Sequence, residues 1–500
     1  MSCFAGIDAG TQSLKVVVYD ATSRQLLASV AEELPLDSRD DGSREQDPAA
    51  WVDAMRACFA RIDKGLRQRI VALAVSGQQH GFVALGPQGN VLAPAKLWCD
   101  TSTASESEAL MAELGGVDAC IREAGNPIMT GYTASKLPWT RKHRPDAYAR
   151  LATILLPHDY LNFVLTGQRY CEHGDASGTG WLDVRTRRWS RALLRATDPR
   201  RDLAACLPAL VPADSLFAID AAEADLLGLP RTTRVAAGGG DNMMAAWGTG
   251  AVAPGRLVMS LGTSGTLFAY SDAPVVSDSG EWAAFCSSSG GWLPLICTMN
   301  CTVATEAVAR LCGFSTRDGD AHIAATAPGA DGLTLLPSFN GERTPGLPRA
   351  RAALHGLDLA NTSPAHLYRA AMEGATFSLR YGFDAFVRAG MSFDSVVLTG
   401  GGSNSGQWRQ MVADVFGLPV QVSLQAEGAA FGAALQALWA SRRAAGEDIA
   451  PNVVCDAHVI HDPSRIARPD RQNSQAYAAA YQRFLHHLDA ACVAHAALPA

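Results

Sequence analysis

Asp241 and Asn242 stand directly after Gly238-Gly239-Gly240, which close a β-prone run beginning at Arg234. A carboxylate just past a strand and a flexible turn occupies the place where sites form in open α/β sheets. It can orient a hydroxyl and accept its proton, the task set by phosphoryl transfer to an alcohol. Asn242 can both donate to and accept from hydroxyl groups. On local sequence, simple capping of the turn explains the same pair equally well. Asp8 ends another β-prone run, two residues before Gly10-Thr11-Gln12-Ser13. A carboxylate there is placed to hold Mg2+, which binds hard oxygens and keeps several waters; an Asp that only caps the turn is the alternative. Gln78-Gln79-His80 lies between Gly77 and Gly81 after the run Ile70 to Ser76, with Trp98 and Asp100 close behind. Flat polar side chains beside glycines suit a polyhydroxylated ligand, with Trp98 and Asp100 placed to close one side of its pocket, and a structural His80 is the competing reading. A metal-binding His80 is disfavoured, because no second ligand stands at helical or turn spacing.

The glycine turns offer a second kind of chemistry. A strand ending in Gly, Ser and Thr exposes several backbone N–H groups in one direction, a concavity suited to phosphate oxygens. Glycine lets the backbone approach such a ligand closely. One such turn is usually structural. Here Gly10-Thr11-Gln12-Ser13 is matched by Gly262-Thr263-Ser264-Gly265, and Gly400-Gly401-Gly402 precedes a helical stretch. Together they supply two phosphate clamps and a helix-linked turn for the rest of a nucleotide. No Gly-x-x-x-x-Gly-Lys-Ser/Thr occurs, so the design is not a P-loop.

Alternating strand-like and helix-like segments position these residues, which argues for an α/β protein. Phe4 to Asp8 and Leu14 to Tyr19 read as a hairpin around the first small-residue turn, and Leu257 to Gly262 with Thr266 to Tyr270 as a second. This weak internal repeat predicts two similarly built halves. Helical spacing runs from Trp51 to Gly65, and Lys136 to Asn162 reads as helical pieces broken by Pro138, Pro145 and Pro157. Ser395 to Thr399 is a further strand, followed by a helix from Gln407 to Phe416. Near the end Tyr477, Tyr481, Phe484, Leu485, Leu488 and Cys492 share one helical face, a packing surface. With 500 residues, 48% of them hydrophobic, the chain is too long for one ordinary core. The expected domains are 1–235, 236–445 and a C-terminal extension over 446–500.

Composition excludes several classes. A net charge of −7 and a pI near 5.9 disfavour a general nucleic-acid binder, and the basic runs at Arg141 to Arg144 and Arg185 to Arg188 read as solvated faces. No apolar run approaches the roughly 20 residues of a membrane span, and Met1 to Phe4 lead straight into a strand-like run without the features of a signal peptide. A soluble cytoplasmic protein is expected. The 12 cysteines are scattered without Cys-x-x-Cys, as for free and mostly buried thiols.

Taken together, these motifs resemble the FGGY carbohydrate kinases from Gly6 to about Gly432. Gly6-Ile7-Asp8-Ala9-Gly10-Thr11 is similar to the family's first phosphate motif and Ser260 to Gly265 to its second. Gly131 to Trp139, with Lys136, resembles the first family signature, with Thr140 where an aliphatic residue is usual. Gly356-Leu357, His366-Leu367 and Ala370 to Glu373 resemble the second signature, and Leu398 to Asn404 the adenosine motif. Gly77 to Gly81, Glu45-Gln46-Asp47-Pro48 with Trp51, Leu156 to Leu161 and Gly341 to Pro345 resemble the xylulokinase branch. Cys99 departs from that branch, where a polar residue is usual, and a thiol facing the sugar would be a poor hydrogen-bond partner.

The resemblance implies two ribonuclease-H-like (actin-like ATPase) domains flanking a deep cleft. It implies an ATP- and Mg2+-dependent kinase acting on a ketopentose, D-xylulose first. Asp241 would be the general base and Asp8 would organise Mg2+. Gln79, His80, Trp98, Asp241 and Asn242 would contact the sugar. Gly10, Thr11, Gln12, Gly262 and Thr263 would clamp phosphates, with Gly400, Gly401 and Asn404 at the adenosine end. A homodimer is the family expectation. Ribulokinase, gluconokinase and glycerol kinase activities stay open within the family, and an actin-like ATPase without sugar kinase activity stays open outside it.

Overall fold

The computed structural model describes residues 2–425 and 428–496, so 497–500 of the expected extension lie outside the described residues. Two compact units divide the chain. Unit 1 takes Met1–Ala253, Tyr270–Pro294 and Gln425–Val459; unit 2 takes Pro254–Ala269, Leu295–Leu424 and Ile460–Ala500. Strand Arg234–Ala236, where the expected boundary falls, pairs inside unit 1.

Unit 1 is built on strands β1 (Cys3–Ala9), β2 (Ser13–Asp20), β3 (Gln25–Glu33), β4 (Ile70–Gly77), β5 (Leu216–Ala218), β6 (Arg234–Ala236) and β7 (Gly239–Gly240). Their order is β5-β6-β4-β1-β2-β3, with β7 also pairing with β4. The hairpin β1–β2 and the pair β2–β3 are antiparallel, whereas β4 runs parallel to β1, β6 and β7. β1 and β4 are near-continuous buried runs because both their faces are covered. The odd positions of β1, Cys3, Ala5, Ile7 and Ala9, join the core with Trp51, Met55 and Phe59 of helix Pro48–Arg61. Gly6 points the other way, and a Cβ there would stand 1.8 Å from the carbonyl oxygen of Ala430 in helix Gly428–Ala444. The same helix meets helix Asp241–Thr249 equally closely: a Cβ on Gly432 would stand 1.8 Å from Met244 O, and one on Gly248 1.9 Å from Gly428 O. Backbone-to-backbone packing thus fixes the helix that begins at Asp241.

Unit 2 carries β8 (Gly255–Leu261), β9 (Gly265–Ala269), the larger part of β10 (Trp292–Thr298), β11 (Phe393–Thr399) and β12 (Val420–Val422) in the run β10-β9-β8-β11-β12. Two antiparallel pairings are followed by two parallel ones. Unit 1 has the same sequence of pairings along β3-β2-β1-β4-β6, so the matched hairpins mark two halves of one topology. Helix Arg471–Ala496 buries Tyr477, Tyr481, Phe484 and Leu488, the face read from its spacing.

Three local readings are corrected. Pro138 lies inside helix Thr133–His143 rather than breaking it, costing one backbone bond without stopping the helix. Pro145 and Pro157 open helices, and Thr153–Leu155 between them is a strand. The basic run at 141–144 is not simply solvated: Arg144 bonds both carboxylate oxygens of the buried Glu45, at 2.8 and 2.6 Å. Among the described residues no disulfide joins any of the twelve cysteines, and eight are buried. Among the described residues no helix is long and apolar enough to cross a membrane.

Gly432→Ala is expected to push helices Gly428–Ala444 and Asp241–Thr249 apart and to cost about 2 kcal/mol or more of stability, as overpacking does. Denaturant unfolding of the variant beside the parent checks this.

Candidate active site

The strand register of unit 1 gathers the residues singled out by sequence. Asp8 pairs with Ser76 and Ala9 with Gly77 across β1–β4, while Gly239 pairs with Ser76 and Gly240 with Gly77 across β7–β4. The three parallel strands therefore end at one level. The next residues along each, Gly10-Thr11, Gln78-Gln79 and Asp241-Asn242, emerge at the same carboxyl edge, where α/β sheets form sites.

Contacts at this edge are specific. Asn242 Nδ2 donates to Gln79 Oε1 at 3.0 Å and to Asp241 Oδ1 at 3.1 Å, and Asn242 N donates to Asp241 Oδ1 at 2.8 Å. Asp8 Oδ1 accepts from Ser76 Oγ at 2.7 Å. Burial, then the charge of Asp8, push the Asp241 carboxyl up to about 7 against the bonds from Asn242 that favour its ionised form. Two carboxylates thus crowd one strand edge, and Asp241 titrates in the range useful to a general base near neutral pH.

His80 is held in an unusual backbone state, with φ 64°. Its carbonyl accepts from Lys136 Nζ at 2.6 Å and from Thr133 Oγ1 at 3.1 Å; Lys136 also bonds Gly131 O at 2.8 Å. The imidazole stacks on Tyr132 with centroids 4.5 Å apart, and Nδ1 lies 2.6 Å from Gly178 O. Lys136 is fully buried, and burial pulls its ammonium down to about 7. Its work is to stabilise a left-handed residue that has a side chain, a strained state that persists only when its surroundings enforce it.

Trp98 and the first glycine turn belong to another network. Trp98 Nε1 donates to Thr11 Oγ1 at 2.9 Å, and Thr11 Oγ1 donates to Gln78 Oε1 at 3.2 Å. Gln78 Nε2 donates to Gln46 Oε1 at 3.0 Å, which also accepts from Trp51 Nε1 at 3.0 Å. Gln46 Nε2 returns to Thr11 O at 2.7 Å. The Thr11 hydroxyl is thereby engaged, so the turn offers backbone amides rather than that hydroxyl. Gln78 is a buried tie and not a pocket residue. Asp100 does not line the site either: it is buried beside Lys96 Nζ at 2.9 Å and accepts from Arg44 N at 2.8 Å. Cys99 is half-buried and packs against the apolar core of unit 1.

Two supports escaped the sequence reading. Asn162 Nδ2 donates to Ala237 O at 2.8 Å. The Gln436 carboxamide clasps Gly238, accepting from its N–H at 2.9 Å and donating to its carbonyl at 3.0 Å. They clamp the turn leading to Asp241 from 75 residues before it and 198 residues after. A buried amide within a helical run was their only signal.

In unit 2 the register repeats. Ser260 pairs with Thr399 across β8–β11, so Gly262-Thr263 and Gly400-Gly401 emerge at one carboxyl edge. Gly262 O and Thr263 O accept from Thr302 N and Cys301 N at 2.9 and 3.0 Å, tying the second phosphate-type turn to the start of helix Thr302–Leu311. A Cβ on Gly400 would stand 2.7 Å from Leu261 O, and Gly401 is exposed with nothing near its Cβ position. Asn404 is exposed, and its Oδ1 accepts from Arg465 at 2.9 Å.

Family models for the N-terminal and C-terminal domains of the FGGY family of carbohydrate kinases match residues 3–248 and 257–441. The chain belongs to the FGGY family of carbohydrate kinases. It is 40% identical over 494 residues to a xylulose kinase of Haemophilus influenzae, covering 97% of this chain and 99% of the relative. A xylulose kinase of Escherichia coli is 35% identical, with 86% and 88% covered. Among solved structures, a xyloylose kinase from Brucella ovis superposes with a TM-score of 0.91 at 32% identity, covering 98% and 99% of the two chains. As an FGGY kinase the chain is a phosphotransferase using ATP, and the doubled sheet topology is that family's actin-like ATPase fold.

Replacing Asp241 with Asn separates chemistry from folding. In the folded state this carboxyl ionises only near pH 7, against about 3.9 when unfolded. Its ionisation therefore favours the unfolded state progressively as pH rises from roughly 4 to 7. Asp241→Asn is expected to melt no lower than the parent at pH 7 in the absence of ligands, with a smaller advantage at pH 5, by scanning calorimetry. Lys136→Met is expected to release His80 from its left-handed state and to raise the sugar KM about tenfold through a lost charge-assisted bond, with the ATP KM unchanged in steady-state kinetics.

Proposed function

We propose that this chain transfers the γ-phosphoryl group of ATP to the 5-hydroxyl of D-xylulose, giving D-xylulose 5-phosphate. The observation that carries the reading is Asp241: a carboxylate at a strand edge, raised to about 7 by burial and by Asp8 and hydrogen-bonded to Asn242 beside Gln79 and His80. Relatives that span nearly the whole chain and are named xylulose kinases support this substrate over other polyols.

Each residue has a task in this reading. Asn242, Gln79 and His80 bind sugar hydroxyls, and Trp98 stands beside them over the Thr11 turn. Asp241 orients the reacting hydroxyl and takes its proton as the O–P bond forms. The amides of Thr11 and Gln12 receive phosphate oxygens, while Gly10, whose N–H is given to Ser13 O at 3.0 Å, shapes the turn. In unit 2 the amides of Gly262 and Thr263 have the same task. Gly400, Gly401 and Asn404 receive the adenosine end. Asp8 holds Mg2+. The residues fit that ion: Mg2+ takes one or two carboxylates together with substrate phosphates, and the repulsion between Asp8 and Asp241 is what a cation relieves. When bound, it neutralises charge on the phosphates. Phosphorylation in the cytoplasm, with ATP from the common pool, is part of the proposal.

A coupled ADP-release assay over D-xylulose, D-ribulose, L-ribulose, gluconate and glycerol tests it. D-xylulose is expected to give the highest kcat/KM; a clear preference for another compound overturns the substrate. Asp241→Asn is expected to lower kcat by about 10²- to 10⁴-fold, the range for general-base loss, and near-parental turnover overturns its role.

A further inference from the structure

Behind Gln79 lies a buried charge cluster to which the mechanism above gives no part. His158 and Asp175 are each 0% exposed. His158 Nδ1 lies 2.6 Å from Asp175 Oδ2, and Nε2 lies 3.2 Å from Asp159 Oδ1. Burial opposes a charge on the imidazole, but Asp159, Asp175 and Glu172 outweigh it and hold His158 up to about 9. Glu172 in turn accepts from Gly174 N and Asp175 N at 2.7 and 2.6 Å, locking the turn that carries Asp175. The backbone of His158 sits against the strand end that leads to Gln79: a Cβ on Gly77 would stand 2.8 Å from His158 N.

Asp175 and Gln79 meet over Gly240. A Cβ on Gly240 would stand 3.1 Å from Asp175 Oδ1 and 3.1 Å from Gln79 Cδ. Gln79 favours the ionised form of Asp175, and neither Gln79 Nε2 nor Asp175 Oδ1 has a hydrogen-bond partner within 3.5 Å. They are a buried donor and a buried acceptor facing the same glycine. A carboxamide is nearly symmetric in shape, so a neighbour decides which end is oxygen and which is NH2.

We propose that Asp175, held by His158, is a positioning residue that sets the polarity of the sugar site through Gln79. Asp175 accepts only, so it draws the NH2 end of Gln79. Gln79 Oε1 is then turned to Asn242, whose Nδ2 hydrogens go to Gln79 Oε1 and Asp241 Oδ1. Asn242 is left to offer its oxygen, an acceptor that selects a hydroxyl hydrogen. The relay Asp175, Gln79, Asn242 makes this side of the site acceptor-presenting, and it rests on the reading of Gln79 and Asn242 as sugar contacts.

A double-mutant cycle tests it. Asp175→Asn, Gln79→Glu and the double variant are compared with the parent, using the sugar that the panel assay selects and measuring sugar and ATP KM separately. The panel thus decides the substrate, and the cycle decides the relay whatever that substrate is. Asp175→Asn can donate towards Gln79 and let it flip, so the sugar KM is expected to rise about tenfold, the scale of one lost hydrogen bond, with the ATP KM within twofold. Gln79→Glu sets two carboxylates face to face and is expected to weaken sugar binding as well. The double variant restores the charge count and gives Asn242 a carboxylate oxygen in either orientation, so its sugar KM is expected to return to within about threefold of the parent. An unchanged KM in Asp175→Asn, an equal rise for both substrates, or a double variant no better than Gln79→Glu overturns the relay. Should Asp175→Asn alone fail to fold by circular dichroism, the comparison of Gln79→Glu with the double variant still decides.

Discussion

Parallel pairing of three strands is the constraint on which the rest of unit 1 depends. Because β1, β4 and β7 run in one direction in matched register, the residues after Ala9, Gly77 and Gly240 must emerge together. Nothing in the side chains of Asp8, Gln79 or Asp241 draws them to one place; backbone hydrogen bonds do. The cost is that acidic groups collect at one sheet edge, with a pair at 8 and 241 and a second set behind it at 159, 172 and 175. The fold tolerates them because each is hydrogen-bonded or faces an imidazole, while burial still pushes Asp241 up to about 7. Carboxyls perturbed in this way cluster at functional sites.

Precision at the edge comes from the surrounding layer. Gln436 and Asn162 clamp the glycine turn before Asp241, Lys136 and Thr133 hold the carbonyl of His80, and Gln46 with Gln78 braces the Thr11 turn. Each is a buried polar group whose hydrogen bonds go to backbone or to other side chains, so each fixes geometry. Several motifs that mark the branch in sequence belong to this layer. Gln46 braces the Thr11 turn and His158 holds Asp175 at 2.6 Å; in unit 2, Glu342 bonds Met299 N at 2.6 Å and the Asn300 carboxamide at 3.1 Å.

Much of this was legible in the chain. The two hairpins, the glycine turns, the strand Ile70 to Ser76, the terminal helix face and the catalytic candidates all carry local signals: β-prone apolar runs, turn residues, helical spacing. The misreadings are also physical. Pro138 looks like a break, since the price of one missing N–H is local while the packing that outweighs it is not. Asp100 looks like a pocket residue because it follows Trp98, yet its partner Lys96 turns it inward. Gln78 and Gln79 are neighbours of one type just past the strand end, yet one enters the Gln46 network and the other bonds Asn242.

Residue type and spacing by themselves determined the class of chemistry here: carboxylates after strand ends, amide-rich turns for phosphate, and a doubled strand-turn-strand device. The pairing of strands distant in sequence decided which carboxylate sits beside which. Helix Gly428–Ala444, nearly two hundred residues beyond Asp241, joins unit 1 through Gly432 and Gly6 because only glycine allows backbone to meet backbone there, and it brings Gln436 to the turn at Gly238. Local sequence carries no record of such a contact, since its energy belongs to two surfaces that exist only once the chain has folded.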